Sequence, residues 1–139
     1  MTKEVMIHIR GISLEEKDAP PVEVTAPGTY YYKNFQHVVL YEEPEGEQGG
    51  GKNMLKISRD HMLMKKSGML NTVMEFQPGK EHLGDYRTPY GTMKVHTATN
   101  VYDVSERDNT LEMRLEYGLS MNGAYVSSCR LEIRIESKK

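Results

Sequence analysis

From Leu111 to the end of the chain, apolar residues fall on every second position. Leu111, Met113, Leu115, Tyr117 and Leu119 occupy one face and Glu112, Arg114 and Glu116 the other; past Asn122-Gly123, Cys129, Leu131, Ile133 and Ile135 alternate with Arg130, Glu132, Arg134 and Glu136. A period of two belongs to a strand with one buried face, and no helix buries such a pattern. Asn-Gly normally marks a two-residue hairpin turn. That register, however, sets odd residues against even ones and puts Leu115 across from Arg130. One added residue restores the match and sets Glu112 opposite Arg134, Arg114 opposite Glu132 and Glu116 opposite Arg130. Each charged cross-strand pair contributes only about 0.2–1 kcal/mol, whereas keeping the apolar faces together is worth several times more. The pattern therefore predicts a bulged turn near Asn122 to Ala124.

The rest of the chain repeats this grammar. Val5, Ile7 and Ile9 alternate with Met6, His8 and Arg10 as a first strand. Glu15 to Pro21, charged and containing two prolines, suits a solvated excursion. Val22 to Thr25 is a short strand that Pro27-Gly28 turns into the next; Thr29 to Phe35 and His37 to Glu43 follow. Pro44 to Gly51, acidic and then triple glycine, is expected to be an exposed loop. Met54 to Ser58, His61 to Lys66 and Leu70 to Gln77 form a meander, Pro78-Gly79 turns, and Lys80 to Tyr86 leads to a long bent strand from Thr92 to Val104. In that strand Met93, Val95, Thr97, Thr99 and Val101 are expected to share a face.

A chain of 139 residues is one domain, spanning 1–139. With short strands and no amphipathic helix it reads as all-β, a single antiparallel closed or nearly closed barrel of about 8–10 strands. The net charge of -2 comes from scattered, nearly balanced charges, so no basic field is available for nucleic acid. A single cysteine, Cys129, excludes an intrachain disulfide and fits a reducing compartment. The first ten residues alternate rather than form an apolar segment, and no run approaches a membrane span of about 20 residues. The expected address is the cytoplasm, with no membrane partner.

Tyr86-Arg87-Thr88-Pro89-Tyr90-Gly91 combines rings, a fixed proline and a glycine, and is taken as a corner of the barrel. Tyr86, Arg87 and Tyr90 there offer two hydroxyls and a guanidinium to a ligand's polar end, against the plainer role of covering the core. Glu42 and Glu43 are adjacent on a strand and point to opposite faces, so they form no facing acid–base pair. Whichever points inward requires a partner such as Lys66 or Arg87. The five histidines have no metal-ligand spacing on any one strand, so no metal site or cofactor is expected, and a zinc or heme site would need distant strands to converge. Cys129 reads as a small core residue. The methionines, among them Met54, Met62, Met64, Met69, Met74, Met93, Met113 and Met121, suit either plain packing or an adaptable apolar interior.

The order of Val24-Thr25, Gly28, Leu40-Tyr41-Glu42-Glu43, Lys56-Ile57, Ser67-Gly68, Phe76 with Gly79, Tyr86, Thr88-Pro89-Tyr90-Gly91, Tyr117 to Leu119 and Asn122-Gly123 resembles the YwiB-like family of bacterial proteins. That family is a domain of unknown function in the calycin superfamily with a lipocalin-like β-barrel. The resemblance spans nearly the whole chain and implies the barrel; it implies no activity. At one position the chain departs from the family pattern, carrying Lys66 where the family has arginine, and lysine does not replace a two-pronged contact equally. The leading expectation is a barrel that binds a small, mostly apolar molecule without catalysis, with Tyr41, Glu43, Lys66, Tyr86, Arg87, Tyr90 and Tyr117 as its ligand-binding residues. A packed barrel that self-associates, as a homodimer, or binds another chain through Tyr30 to Tyr32 is the second reading. An enzyme using an inward glutamate with Arg87 or Lys66 is the third.

Overall fold

The computed structural model describes residues 1–16, 18–43, 51–68 and 70–138. Ten strands follow in order: β1 (Glu4–Ser13), β2 (Val22–Lys33), β3 (Gln36–Glu43), β4 (Gly51–Ile57), β5 (Met62–Ser67), β6 (Asn71–Phe76), β7 (Glu81–Thr88), β8 (Gly91–Arg107), β9 (Thr110–Met121) and β10 (Ala124–Ser137). Each pairs antiparallel with its neighbour in sequence, and β1 pairs with β10 to close the barrel. The expected all-β antiparallel barrel is thus the observed one. Among the described residues no helix is long and apolar enough to cross a membrane. The loop expected over Pro44 to Gly51 lies outside the described residues, except Gly51, which already belongs to β4.

The last hairpin keeps the register its charges demand, with Glu112 opposite Arg134, Arg114 opposite Glu132 and Glu116 opposite Arg130. The extra residue sits elsewhere than expected. Asn122-Gly123 is an ordinary two-residue turn with both residues at positive φ, 50° and 82°, the geometry whose twist matches its strands. The added residue is Val126, a bulge between the pairs Tyr125–Ser120 and Ser127–Leu119. A bulge inside the strand takes up the odd residue with local twist and leaves the favourable turn intact.

β8 is long, as expected, and it also carries a bulge, at Asn100. The bulge shifts the alternation, so Tyr102 and Val104 point inward while Val101 sits opposite Glu116 on the outer face, against the expectation that it shares the Val95 face. Pro27-Gly28 likewise fails to turn the chain, because β2 runs straight through it. What the dipeptide marks is where β2 leaves β3: their pairing begins at Gly28–Tyr41 and runs only toward the Lys33–Gln36 turn.

The lower end of the barrel, where β2–β3, β4–β5 and β8–β9 connect, is filled with apolar side chains. Val5, Ile7, Leu55, Ile57, Met62, Phe76, Leu115 and Ile135 are wholly buried, each contributing roughly 1.5–3 kcal/mol by burial. Rings close that mouth: the Tyr30 hydroxyl bonds His37 Nδ1 at 2.7 Å, and Tyr32 stacks on His37 at 5.0 Å. Burial lowers the pKa of His37, which favours the neutral imidazole in this contact.

Two stretches of wall are not fully paired. Above Gly28–Tyr41, β2 and β3 diverge. Below Asn71–Arg87 and Thr72–Tyr86, the ladder between β6 and β7 stops as well. There the Thr97 hydroxyl of β8 donates to the Glu75 carbonyl at 2.7 Å and ties β6 to the sheet. Gly84 is required where the two unpaired strands lie against each other, since a Cβ there meets the Val73 carbonyl oxygen at 1.9 Å.

Candidate functional site

Inward-facing positions turn polar toward the upper end. Cross-strand pairing links Tyr41 to Asn53, Asn53 to Lys66, Lys66 to Thr72, Thr72 to Tyr86 and Tyr86 to Met93, one continuous row over six strands. Side chains in such a row share a face, and Tyr41 and Asn53 are buried. Glu43, two residues beyond Tyr41 on the same face, meets Lys66 Nζ at 3.1 Å, with both side chains mostly covered. The inward glutamate therefore has the lysine that the sequence offered as a partner, and the two form a satisfied ion pair. Burial raises the pKa of Tyr41 well above the usual phenol range, with the Glu43 carboxylate adding to the effect.

A second inward row joins Thr99, Tyr117, Cys129 and Ser13. Ser13 and Ser127 share a hydrogen bond of 3.1 Å. Tyr117 crosses the interior to meet Phe76 edge-on at 4.8 Å, and burial pushes its hydroxyl and the Cys129 thiol upward in pKa. The Thr99 hydroxyl is buried and has no hydrogen-bond partner among the described residues. Met64 and Met74 pack against the core between the rows, whereas Met54, paired with Leu40 and Lys65, lies on the outer face. Met69 lies outside the described residues.

The divergence of β2 and β3 opens a cleft onto the first row. It has a volume of about 700 Å³ and is lined by residues 25–29 and 40–43 with Lys52 and Asn53. Pro27 brings no N–H to a ladder there, and a Cβ at Gly28 meets Ile7 Cδ1 at 2.5 Å and the Leu40 carbonyl oxygen at 2.8 Å. Apolar Ala26, Pro27 and Leu40 share the cleft with polar Tyr41, Glu43 and Asn53. A second concavity, about 920 Å³, runs over the outer charged faces of β2, β1, β10, β9 and β8. Its charges oppose one another, as in Arg10 with Glu23 at 3.4 Å and Arg114 with Asp103 at 3.9 Å, so it presents no net field.

Of the seven residues selected from sequence, Tyr41, Lys66 and Tyr86 fall in the first row, Glu43 joins it through Lys66, and Tyr117 stands in the second. Arg87 and Tyr90 do not converge with them. The Tyr86–Gly91 stretch is the end of β7 and a hairpin turn rather than a barrel corner. Alternation sends Arg87 outward to Asp85 at 3.7 Å, and Tyr90 is 99% exposed at the tip. Asp85 is held below the ordinary carboxylate range chiefly by its hydrogen bond from Lys94. Asn53, Thr72 and Thr99 went unselected because their placement depends on register across several strands. Histidines that share no strand do converge at the other opening, where His61, Glu75 and His82 gather.

Comparison with known proteins agrees with this architecture. The Uncharacterized beta-barrel protein YwiB of Bacillus subtilis (strain 168) is 23% identical over 95 residues, 68% of this chain and 66% of that protein, just under two thirds of its length. The crystal structure of the ywiB protein from Bacillus subtilis superposes with a TM-score of 0.84 at 18% identity, covering 99% of this chain and 93% of that one. At such identity the likeness is one of fold. The family profile described as Domain of unknown function (DUF1934) matches residues 7–133, and the chain belongs to that family.

Proposed function

We propose that the barrel binds one small, mostly apolar molecule without catalysis, through the cleft between β2 and β3. The cleft itself carries this reading: about 700 Å³, with apolar walls and buried polar groups at its inner side. Sites for small molecules have this size and composition. The packed lower end leaves the upper end for a guest. Ala26, Pro27 and Leu40 contact its apolar part, while Tyr41, Asn53 and the Glu43–Lys66 pair receive its polar end. Glu43 is engaged by a cation rather than free as an acid or base, which favours binding over catalysis. Titration with the environment-sensitive dye anilinonaphthalene sulfonate tests this. Saturable binding of one dye per chain, weakened about tenfold by Lys66→Met, is expected; no saturable binding overturns it.

Exposed rings at the lower end favour self-association as a second reading. Tyr31, Tyr32 and Phe35 are exposed, Phe35 by 88%, and Phe35 holds a φ of 63°, unusual for a bulky residue. Tyr30, by contrast, is buried and belongs to the core. Light scattering at increasing concentration separates a monomer from a dimer that Phe35→Gly dissolves.

A further inference from the structure

We propose that His61, Glu75 and His82 bind a divalent transition-metal ion of the zinc class at the opening between β6 and β7. This site lies apart from the cleft and does not rest on the ligand reading. His82 Nδ1 is 3.0 Å from Glu75 Oε2, and His61 Nε2 is 3.9 Å from Glu75 Oε1. One ligand atom from each residue lies within 4.8 Å of the other two. Zinc takes imidazole nitrogen and carboxylate oxygen at about 2.0–2.2 Å, which sets tetrahedral ligands about 3.3–3.5 Å apart. Reaching that spacing closes the widest separation, up to 4.8 Å, by about 1.4 Å and opens the 3.0 Å contact slightly, shifts that side-chain rotation supplies.

The surroundings separate this trio from an incidental contact between histidine and carboxylate. His82 Nε2 lies 3.2 Å from Gln77 Oε1. That oxygen accepts the Nε2 proton and fixes the tautomer, as partners behind metal-ligating histidines do. Nδ1 then turns its lone pair on a carboxylate oxygen, an arrangement that calls for a cation between them. A proton on each imidazole answers these contacts one at a time, whereas one metal ion serves both imidazoles and the carboxylate together. The backbone behind each ligand is also fixed. Thr97 holds the Glu75 carbonyl, the His61 carbonyl accepts from Ser58 N at 2.8 Å and Ser58 Oγ at 3.0 Å, and His82 pairs with Thr97 across β7 and β8. The three side chains are 28%, 37% and 23% exposed, which admits an ion and leaves a position for water.

The test uses full-length protein without a histidine tag, stripped with a chelator and titrated calorimetrically with zinc chloride, then with cobalt(II) for visible spectra. One ion per chain and tetrahedral cobalt bands are expected. His61→Ala and His82→Ala each weaken binding by about a hundredfold or more, and Gln77→Ala by about tenfold. Glu75→Gln preserves the side chain's shape, so its loss of uptake with an unchanged melting temperature excludes unfolding as the cause. His8→Ala, on β1 away from the site, leaves uptake unchanged. Absence of stoichiometric uptake, or uptake that survives the combined His61→Ala and His82→Ala change, overturns the proposal.

Discussion

The barrel wall opens twice, and the two openings are managed differently. Between β2 and β3 the strands part above Gly28–Tyr41, and a cleft remains. Between β6 and β7 they part below Thr72–Tyr86, but Thr97 reaches across to the Glu75 carbonyl and Gly84 lies against the Val73 backbone. The Thr97 bond satisfies a backbone carbonyl that a missing ladder would strand, since a buried unpaired group costs about as much as a lost hydrogen bond, and Gly84 leaves room for the close approach of the two backbones. The lesson is that a closed barrel can interrupt its ladder either by leaving a cleft or by bridging the gap with side chains. One gap stays open as a cleft, and the other is stitched beneath the cluster of His61, Glu75 and His82.

The sharpest contrast is between the two glycines. Gly84→Ala drives a Cβ into the Val73 carbonyl at 1.9 Å, backbone against backbone. We expect a loss of about 3 kcal/mol or more in urea denaturation, or failure to fold. Gly28→Ala meets Ile7 Cδ1 at 2.5 Å, the far end of a flexible side chain, and the Leu40 carbonyl oxygen at 2.8 Å, a milder backbone contact than that at Gly84, and costs about 1–3 kcal/mol. Equal effects would break the comparison. Next comes the ion pair at the cleft. Lys66→Met leaves Glu43 covered and unpaired and costs about 1–3 kcal/mol, while Lys66→Met with Glu43→Gln recovers most of that in the same assay.

Two threonines on one strand sharpen the account of the stitched opening. Thr97→Val removes the bond to Glu75 O and costs about 1–2 kcal/mol. Thr99→Val removes a hydroxyl with no partner and is neutral or stabilising. The smallest effect is a pH dependence. Tyr41, Tyr102 and Tyr117 all have pKa values raised by burial. Below the unfolded phenol pKa of about 10 both states hold these protons. Above it the unfolded chain releases protons that the barrel keeps, so stability falls as pH rises. Tyr41→Phe flattens that alkaline limb in melts recorded at stepped pH.

Strand order and the final register were legible because period-two patterning and charge matching are local. Arg130 opposite Glu116 followed from keeping Leu115 and Leu131 together. The location of the extra residue was not legible. Asn122-Gly123 is content as a tight turn, and nothing about Val126 in the chain distinguishes a bulge there from a longer loop. The bulge at Asn100 hid the outward turn of Val101 in the same way. In the candidate site, the Glu43–Lys66 pair was anticipated because an inward carboxylate demands a cation. Arg87 and Tyr90 stand apart from the other five because alternation within a strand and exposure at a turn divide a motif that is compact in sequence. His61, Glu75 and His82 come from before β5, from β6 and from β7, and they meet only once these neighbouring strands are in register, with Leu63 opposite Glu75.

Native mass spectrometry of the freshly purified chain, and of the same protein incubated with a cell lipid and metabolite extract, tests the central claim most directly. The account predicts a native mass exceeding the denatured mass by that of one small organic molecule, with the excess lost or greatly reduced in Lys66→Met. Identical native and denatured masses in both preparations would contradict it and leave the cleft between β2 and β3 an unoccupied feature of the barrel wall.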